Sequence, residues 1–301
     1  ACPRILDVIG EVAAGTMPME EVKPGTAIRI MTGAPLPKGA DAVVQFEDTD
    51  ETERKLSQGN LSQVGVWHQA EKGLNVRYKG EDIRKGRLVL EKGRTLRPPE
   101  IGILASLGCT TVLVIRRPIV SIMATGNEIV DASRPLPLGK IHDSNTYTIA
   151  AQVLHYGGIP KIIGIGRDSI DALNDKINKG LVSADLLITS GGVSVGDYDI
   201  VKDVLAKRGR IAFWTVCMKP GKPLAFGVIN KIEDGRVKGV PHLGLPGNPV
   251  SSIVTFEQFV HPVIQKMMGK INLAKPSIQA VIEDSIKNSD NRRIYARVIV
   301  T

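Results

Sequence analysis

Four carboxylates, one glycine-rich stretch and one pair of lysines define the chemistry this sequence could perform. Asp82, Glu128, Asp168 and Asp199 each sit beside a Gly-rich or strand-ending turn. Carboxylates so placed suit Mg²⁺, a hard cation that takes oxygen ligands and bridges to substrate phosphates. The stretch TSGGVSVGD, residues 189–197, leads from an apolar run into a helical pattern. At such a junction backbone amides and the helix dipole hold phosphate or another oxyanion. Gly191 and Gly192 allow close approach, and Ser190 and Ser194 offer hydroxyl donors. Lys219 and Lys222 lie in KPGKP, where two prolines and a glycine stiffen the turn that carries both ammonium groups. Each feature also has a plainer explanation: a strand-to-helix turn that needs glycine for geometry alone, a helix cap at Asp168, or an exposed turn with solvated lysines.

A doubly wound domain would gather these residues. From 117 to 270 apolar runs alternate with amphipathic segments: IVSIMATG, KIIGIG, DLLITS, IAFWTV, PLAFGVI and HLGL read as strands, the last two flanking a charged hairpin tip. SNTYTIAAQVLHYGG, DSIDALNDKINKG, DYDIVKDVLAKRG and VSSIVTFEQFVHPVIQKMM read as helices. The first starts at a Ser144 or Asn145 cap and puts Ile149, Val153 and Tyr156 on one face. This alternation argues a mostly parallel sheet with helices on both faces. Ligands of such sheets gather outside the carboxyl ends of the strands. There Thr125-Gly126-Asn127-Glu128, Arg167-Asp168, residues 189–197 and Leu245-Pro246-Gly247-Asn248-Pro249 fall on one rim.

The flanks differ in texture, so the expected fold is multidomain, α/β plus β. Residues 1–90 hold short β-branched runs (VIGEVAAG, AIRIMTG, DAVVQFEDT, SQVGVWHQ, GRLVLEKG), which predict an all-β domain with DETERKLSQGN as a polar hairpin tip. Residues 91–116 predict a small helical connector on RPPEIGILASLGC, with Pro98 and Pro99 in its first turn and Gly108 at its stop. Residues 271–301 turn to β again, with IQAVIED and RRIYARVIV, as the start of a truncated C-terminal β domain.

Composition narrows the partners. Thirty-nine basic against 31 acidic residues give a net charge of +8, which favours anionic partners. Aromatics at 4% and the absence of a long basic run argue against nucleic acid, leaving a small anion as the expected ligand. No apolar stretch approaches the roughly 18 residues of a membrane helix. Cys2, Cys109 and Cys217 are far apart and outside any CxxC, which suits a reducing cytoplasm. The five histidines lack metal spacing, and no GxSxG, Walker A or GxGxxG motif supports hydrolase-triad or nicotinamide chemistry.

Taken in order along nearly the whole chain, RIMTGAPLPKGADAVVQFED, NVRYKGEDI, ATGNE, KIHDSNTY, TSGGVSVGDYD, MKPGKPLAFG and LPGNPVSS closely resemble the molybdopterin molybdenumtransferases. These are the molybdenum-insertion enzymes of molybdenum cofactor synthesis, and the E domain of gephyrin is one of them. The resemblance implies a transferase that binds adenylylated molybdopterin, uses Mg²⁺, accepts molybdate, and releases AMP together with the molybdenum cofactor. It implies a reaction role for Asp82, Glu128, Asp168 and Asp199, with Glu128 and Asp199 toward the metal. Substrate binding is implied for Thr32, Thr125, Gly126, Asn127, Ser144, Asn145, Ser190, Gly191, Gly192, Ser194, Lys219, Lys222, Pro246, Gly247, Asn248 and Pro249. The molybdenum being inserted would be ligated by the pterin's sulfurs, so no Cys or His cluster is required.

The resemblance further implies a homodimer whose cleft lies between the α/β domain of one subunit and the β domain of the other. It also implies contact with the adenylyltransferase that precedes it in the pathway. Two departures stand out. A DGYA-type segment with an active-site aspartate is expected ahead of the first strand, so the chain reads as a fragment, and Thr215 stands where a lysine is often found. A non-catalytic scaffold of the same fold is the competing reading. Retention of Glu128, Asp168, Asp199, Lys219 and Lys222 favours the enzyme. Molybdate and tungstate are too alike in size and charge for the sequence to separate them.

Overall fold

The computed structural model describes residues 2–58, 61–193, 200–289 and 291–299, which fall into two compact units, Ala1–Lys92 and Gly93–Thr301. In the first, β1 (Arg4–Val12), β2 (Thr26–Ile30), α1 (Glu51–Gln58) and β3 (Gln63–Val66) form in order. The sheet order is β2-β1-β3, with β1 parallel to β2 and antiparallel to β3.

Three expectations for this unit are corrected. DAVVQFEDT ends in a 3₁₀ turn at Phe46–Asp48 and GRLVLEKG forms no strand, while DETERKLSQGN is mostly helix and not a hairpin tip. The helix has no apolar stripe to announce it. Charged pairs at helical spacing stabilise it instead: Arg54 with Asp50 and Lys55 with Glu51, both at 2.6 Å. Glu51 also accepts from Arg29 of β2 at 2.7 Å, which fastens the helix to the sheet.

The second unit runs α2 (Pro98–Ser106), β4 (Ile119–Thr125), β5 (Ile129–Val130), β6 (Ile141–His142), α3 (Asn145–His155), β7 (Ile159–Gly166), α4 (Ile170–Leu181), β8 (Leu186–Ser190) and α5 (Ile200–Arg208). It continues with β9 (Gly209–Thr215), β10 (Met218–Lys219), β11 (Pro223–Glu233), β12 (Arg236–Leu245), α6 (Pro249–Thr255), α7 (His261–Met267) and β13 (Arg293–Ile294). The main sheet has the order β7-β4-β8-β12-β11-β9. Its first four strands are parallel, and β11 runs antiparallel to both neighbours.

Period-two alternation explains why both faces of this sheet are covered. In β8, Leu186 and Ile188 enter one core with Ile149 and Val153 of α3 and Phe256 and Ile264 beyond α6. Leu187 enters the other, with Leu173 and Ile177 of α4 and Val204 and Leu205 of α5. All of these side chains are at most 3% exposed, so the fold is anchored on the strands that present the rim.

The helix expected over VSSIVTFEQFVHPVIQKMM is interrupted by a π-helical turn at Phe256–Val260, where the His261 amide reaches back to the Phe256 carbonyl. Pro262 has no amide to continue the α-helical ladder, which gives the widening its cause. After α7, IQAVIED forms no strand among the described residues. Of the described residues of RRIYARVIV only Arg293–Ile294 forms a strand, in parallel with β10. Alternation creates a face, but a strand also needs a neighbour to take its backbone groups.

Candidate functional site

Strand direction alone brings the polar loops together. The carboxyl ends of β7, β4, β8 and β12 point the same way, and the register Ala225↔Gly244 puts the KPGKP turn, just before β11, beside the end of β12. Thr215 closes β9 opposite Pro223 on that same rim.

Asn145 ties the rim together. It begins α3, is only 6% exposed, and its amide donates to Ser190 Oγ at 2.7 Å and to the Gly247 carbonyl at 2.8 Å. Thr125 Oγ1 donates to the Ser190 carbonyl at 3.2 Å. Gly191 lies so close to Thr125 that a Cβ would stand 2.8 Å from its carbonyl oxygen, and the Gly191 amide donates to the Leu245 carbonyl at 3.0 Å. Loops 45 to 102 residues apart in sequence are thus joined through three side chains and one glycine. Ser190 is buried, so its hydroxyl is spent on this knot.

The β4 and β7 loops interlock next to it. Asp168 accepts from the Asn127 amide at 3.1 Å, and Asn127 Oδ1 accepts from the Asp168 amide at 3.3 Å. Lys140 and Arg167 both donate to the Asn127 carbonyl, at 2.9 and 3.1 Å. Gly126 has φ +136°, and a Cβ there would collide with the Glu128 carboxylate, which folds back over it. Glu128 and Asp168 are both exposed.

Two capping expectations are corrected here. Asp168 does not cap α4; Ser169 does, accepting from the Ala172 amide at 3.4 Å. Neither Ser144 nor Asn145 caps α3 through its side chain; Asp143 accepts from the Thr146 amide at 3.0 Å, which frees Asn145 to bridge the loops. Ser144 is exposed at the head of the helix.

On the far side of the rim Pro246 is buried, Asn248 caps α6 by accepting from the Ser251 amide at 3.2 Å, and Pro249 occupies the first turn. Lys219 and Lys222 are exposed, and among the described residues neither ammonium has a hydrogen-bonding or ion-pair partner. Their backbones are held instead: the Lys219 carbonyl accepts from the Tyr295 amide and that of Lys222 from the Val216 amide, both at 2.8 Å. The turn is fixed while its charges stay available.

Sequence reasoning missed several supporting residues. Asp143 and Lys140 were not singled out, although an acid three residues before Thr146 is a readable cap signal, and Arg167 was placed on the rim without a role. His242 is fully buried beneath the rim, 3.0 Å from Thr189 Oγ1, and burial pushes its pKa down to about 3, so its imidazole is neutral.

Ser194 and Asp199 lie outside the described residues. Thr32 and Asp82 belong to the other unit. Thr32 is exposed in a turn closed by the Ala34 amide on the Met31 carbonyl at 2.9 Å, and Asp82 is exposed with Arg77 3.9 Å away. Among the described residues no group of three or more His, Cys, Asp or Glu side chains could hold a metal by itself. No helix among them is long and apolar enough to cross a membrane.

Two family models match the chain. Residues 3–108 match the family model "MoeA N-terminal region (domain I and II)", and residues 121–266 match "Probable molybdopterin binding domain". Molybdopterin molybdenumtransferase 2 of Mycobacterium tuberculosis is 36% identical over 99% of this chain and 71% of its own length. The molybdopterin molybdenumtransferase of Nostoc is 39% identical over 97% of this chain and 64% of its length. Two solved structures of molybdopterin biosynthesis MoeA protein from Pyrococcus horikoshii superpose with TM-scores of 0.68 and 0.66, at 34% and 29% identity. Each covers 89% of this chain, which spans 63% and 62% of theirs. With both regions matched in order and a long relative above one-third identity, the chain belongs to the molybdopterin molybdenumtransferase family.

Proposed function

We propose that this chain inserts molybdenum from molybdate into adenylylated molybdopterin and releases AMP with the finished cofactor. The observation that carries the reading is the convergence, on one rim of a chain of this family, of a glycine loop, two exposed carboxylates and two unpaired lysines. With the Gly191 amide already given to Leu245, the Gly192 amide would hold the pterin phosphate end, with Ser194 completing that loop. Lys219 and Lys222 would hold molybdate, a dianion, with one fewer cation than usual because residue 215 is Thr. Asn145 would keep the phosphate loop and the Pro246–Pro249 loop in register while substrate binds.

The donor set fits Mg²⁺, which is usually held by one or two carboxylates together with substrate phosphates. Glu128 has no ion-pair partner among the described residues and Asp168 commits one oxygen to an amide. Glu128 with Asp199 would hold the cation, which when bound would stabilise charge on the departing phosphate. Thr32 and Asp82 would complete the cleft from a second copy in a homodimer. The protein would work in the cytoplasm, receiving substrate from the preceding adenylyltransferase.

The test is to mix purified chain, adenylylated molybdopterin, Mg²⁺ and molybdate, and to follow AMP release alongside reconstitution of a cofactor-free molybdoenzyme. Both signals are expected. Tight substrate binding without AMP would limit this chain to the binding half of the reaction, and absence of binding would favour the scaffold.

A further inference from the structure

The turn that carries Lys219 and Lys222 rests on a buried hydroxyl that no described residue satisfies. Gly221 has φ +101°, and a Cβ there would fall 2.5 Å from Thr255 Oγ1 and 3.0 Å from Met218 Cε. Thr255 is the last residue of α6 and is 0% exposed, yet its Oγ1 has no hydrogen-bond partner among the described residues. A helical threonine ordinarily donates to a carbonyl three or four residues earlier, and this one does not. A buried, unpaired hydroxyl costs stability that a valine of the same shape would not. In the turn above it, the peptide groups of Pro220 and Gly221 are engaged by no other described residue, whereas the carbonyls of Lys219 and Lys222 are both taken.

We infer that Thr255 is a positioning residue for the oxyanion held by Lys219 and Lys222. Its hydroxyl pairs with the Gly221 peptide group when an anion draws the two lysines together, and so it strengthens the turn only in the bound state. Interactions made only on binding raise affinity at the expense of the free protein's stability, which accounts for a threonine at a site where valine would pack. The inference rests on the molybdate site proposed above.

Molybdate titrated by calorimetry into the wild-type chain and into Thr255→Val and Thr255→Ser, with melting temperatures for all three, tests it. Thr255→Val is expected to melt at or above the wild-type temperature while its molybdate affinity falls about tenfold, and Thr255→Ser to recover that affinity. In the AMP-release assay the same loss should appear in the molybdate KM, with kcat little changed. A valine variant that binds molybdate as wild type does, or that weakens only in step with a lowered melting temperature, overturns the inference and leaves the lysine site standing. A wild-type chain that binds no molybdate overturns the site itself and this inference with it.

Discussion

The two ends of the six-stranded sheet are built on opposite terms. At the end where β4 and β8 begin, Asp185 takes both Arg116 guanidinium nitrogens, at 2.5 and 2.6 Å, and the Ile119 amide at 2.8 Å. Arg117 donates beside it to the carbonyls of Gly157 and Gly158 at 2.6 and 2.7 Å. The Arg116 hydrogen bonds hold the Asp185 carboxyl below the usual carboxylate range, against the opposing effect of burial. At the other end, where these strands finish, Lys219 and Lys222 have no partners among the described residues, and Asn145 Oδ1 and Thr255 Oγ1 are buried without any. One end satisfies its polar groups internally; the other keeps groups with no partner among the described residues. A protein that must both fold and bind separates the two demands, because a charge already paired is poorly placed to hold a substrate.

Substitutions at the two ends should therefore fail in different ways. Glu128→Ala is expected to lower AMP release by at least about 100-fold, the scale on which removal of one electrostatic group is felt in a site. Its melting temperature should stay within about 2 °C of wild type, since the carboxylate is exposed and unpaired. Retained turnover would remove Glu128 from the site, and a large loss of stability would blur the contrast between the two ends.

Asp185→Ala should do the reverse. Arg116 is mostly exposed, so its Coulomb attraction is weak, and the main loss is the acceptor for the Ile119 amide at the start of β4. A drop of about 1–2 kcal/mol in chemical denaturation is expected, with turnover per folded molecule unchanged. An activity loss without a stability loss would show that the two ends are not separate.

His242 gives the most continuous test. The folded protein holds its imidazole neutral down to about pH 3, whereas the unfolded chain protonates it near 6.5. Its contribution is fully present above 6.5 and is lost as pH falls toward 3, by at most about 1.4 kcal/mol per pH unit. Denaturation curves between pH 7 and 4.5 should show that slope, and His242→Gln should flatten it. An equally steep mutant would place the acid sensitivity elsewhere.

Legibility in the sequence depended on whether a residue's partners are local. The apolar period and the stop at Gly157, which has φ +89°, made α3 readable, and the Asp234-Gly235 tip made the β11–β12 hairpin readable. Helix α1 was not readable, because ion pairs rather than an apolar stripe mark it. Asp168 is the instructive case among the candidates. Its sequence context offered a helix cap or a ligand, and the cap role went to its neighbour Ser169 while Asp168 turned to Asn127, 41 residues away.

The sequence by itself determined which residues could hold an anion and which strands would carry them, because side-chain chemistry, glycine spacing and alternation are properties of short windows. Only the tertiary structure decided which of these groups are spent on the fold and which remain available. Ser190 and Asn145 are committed to neighbours brought near by strand order, whereas Lys219 and Lys222 have no partner among the described residues. The physical reason is that a hydrogen bond is decided within about 3 Å, and distances of that size between residues far apart in sequence exist only once the sheet has formed.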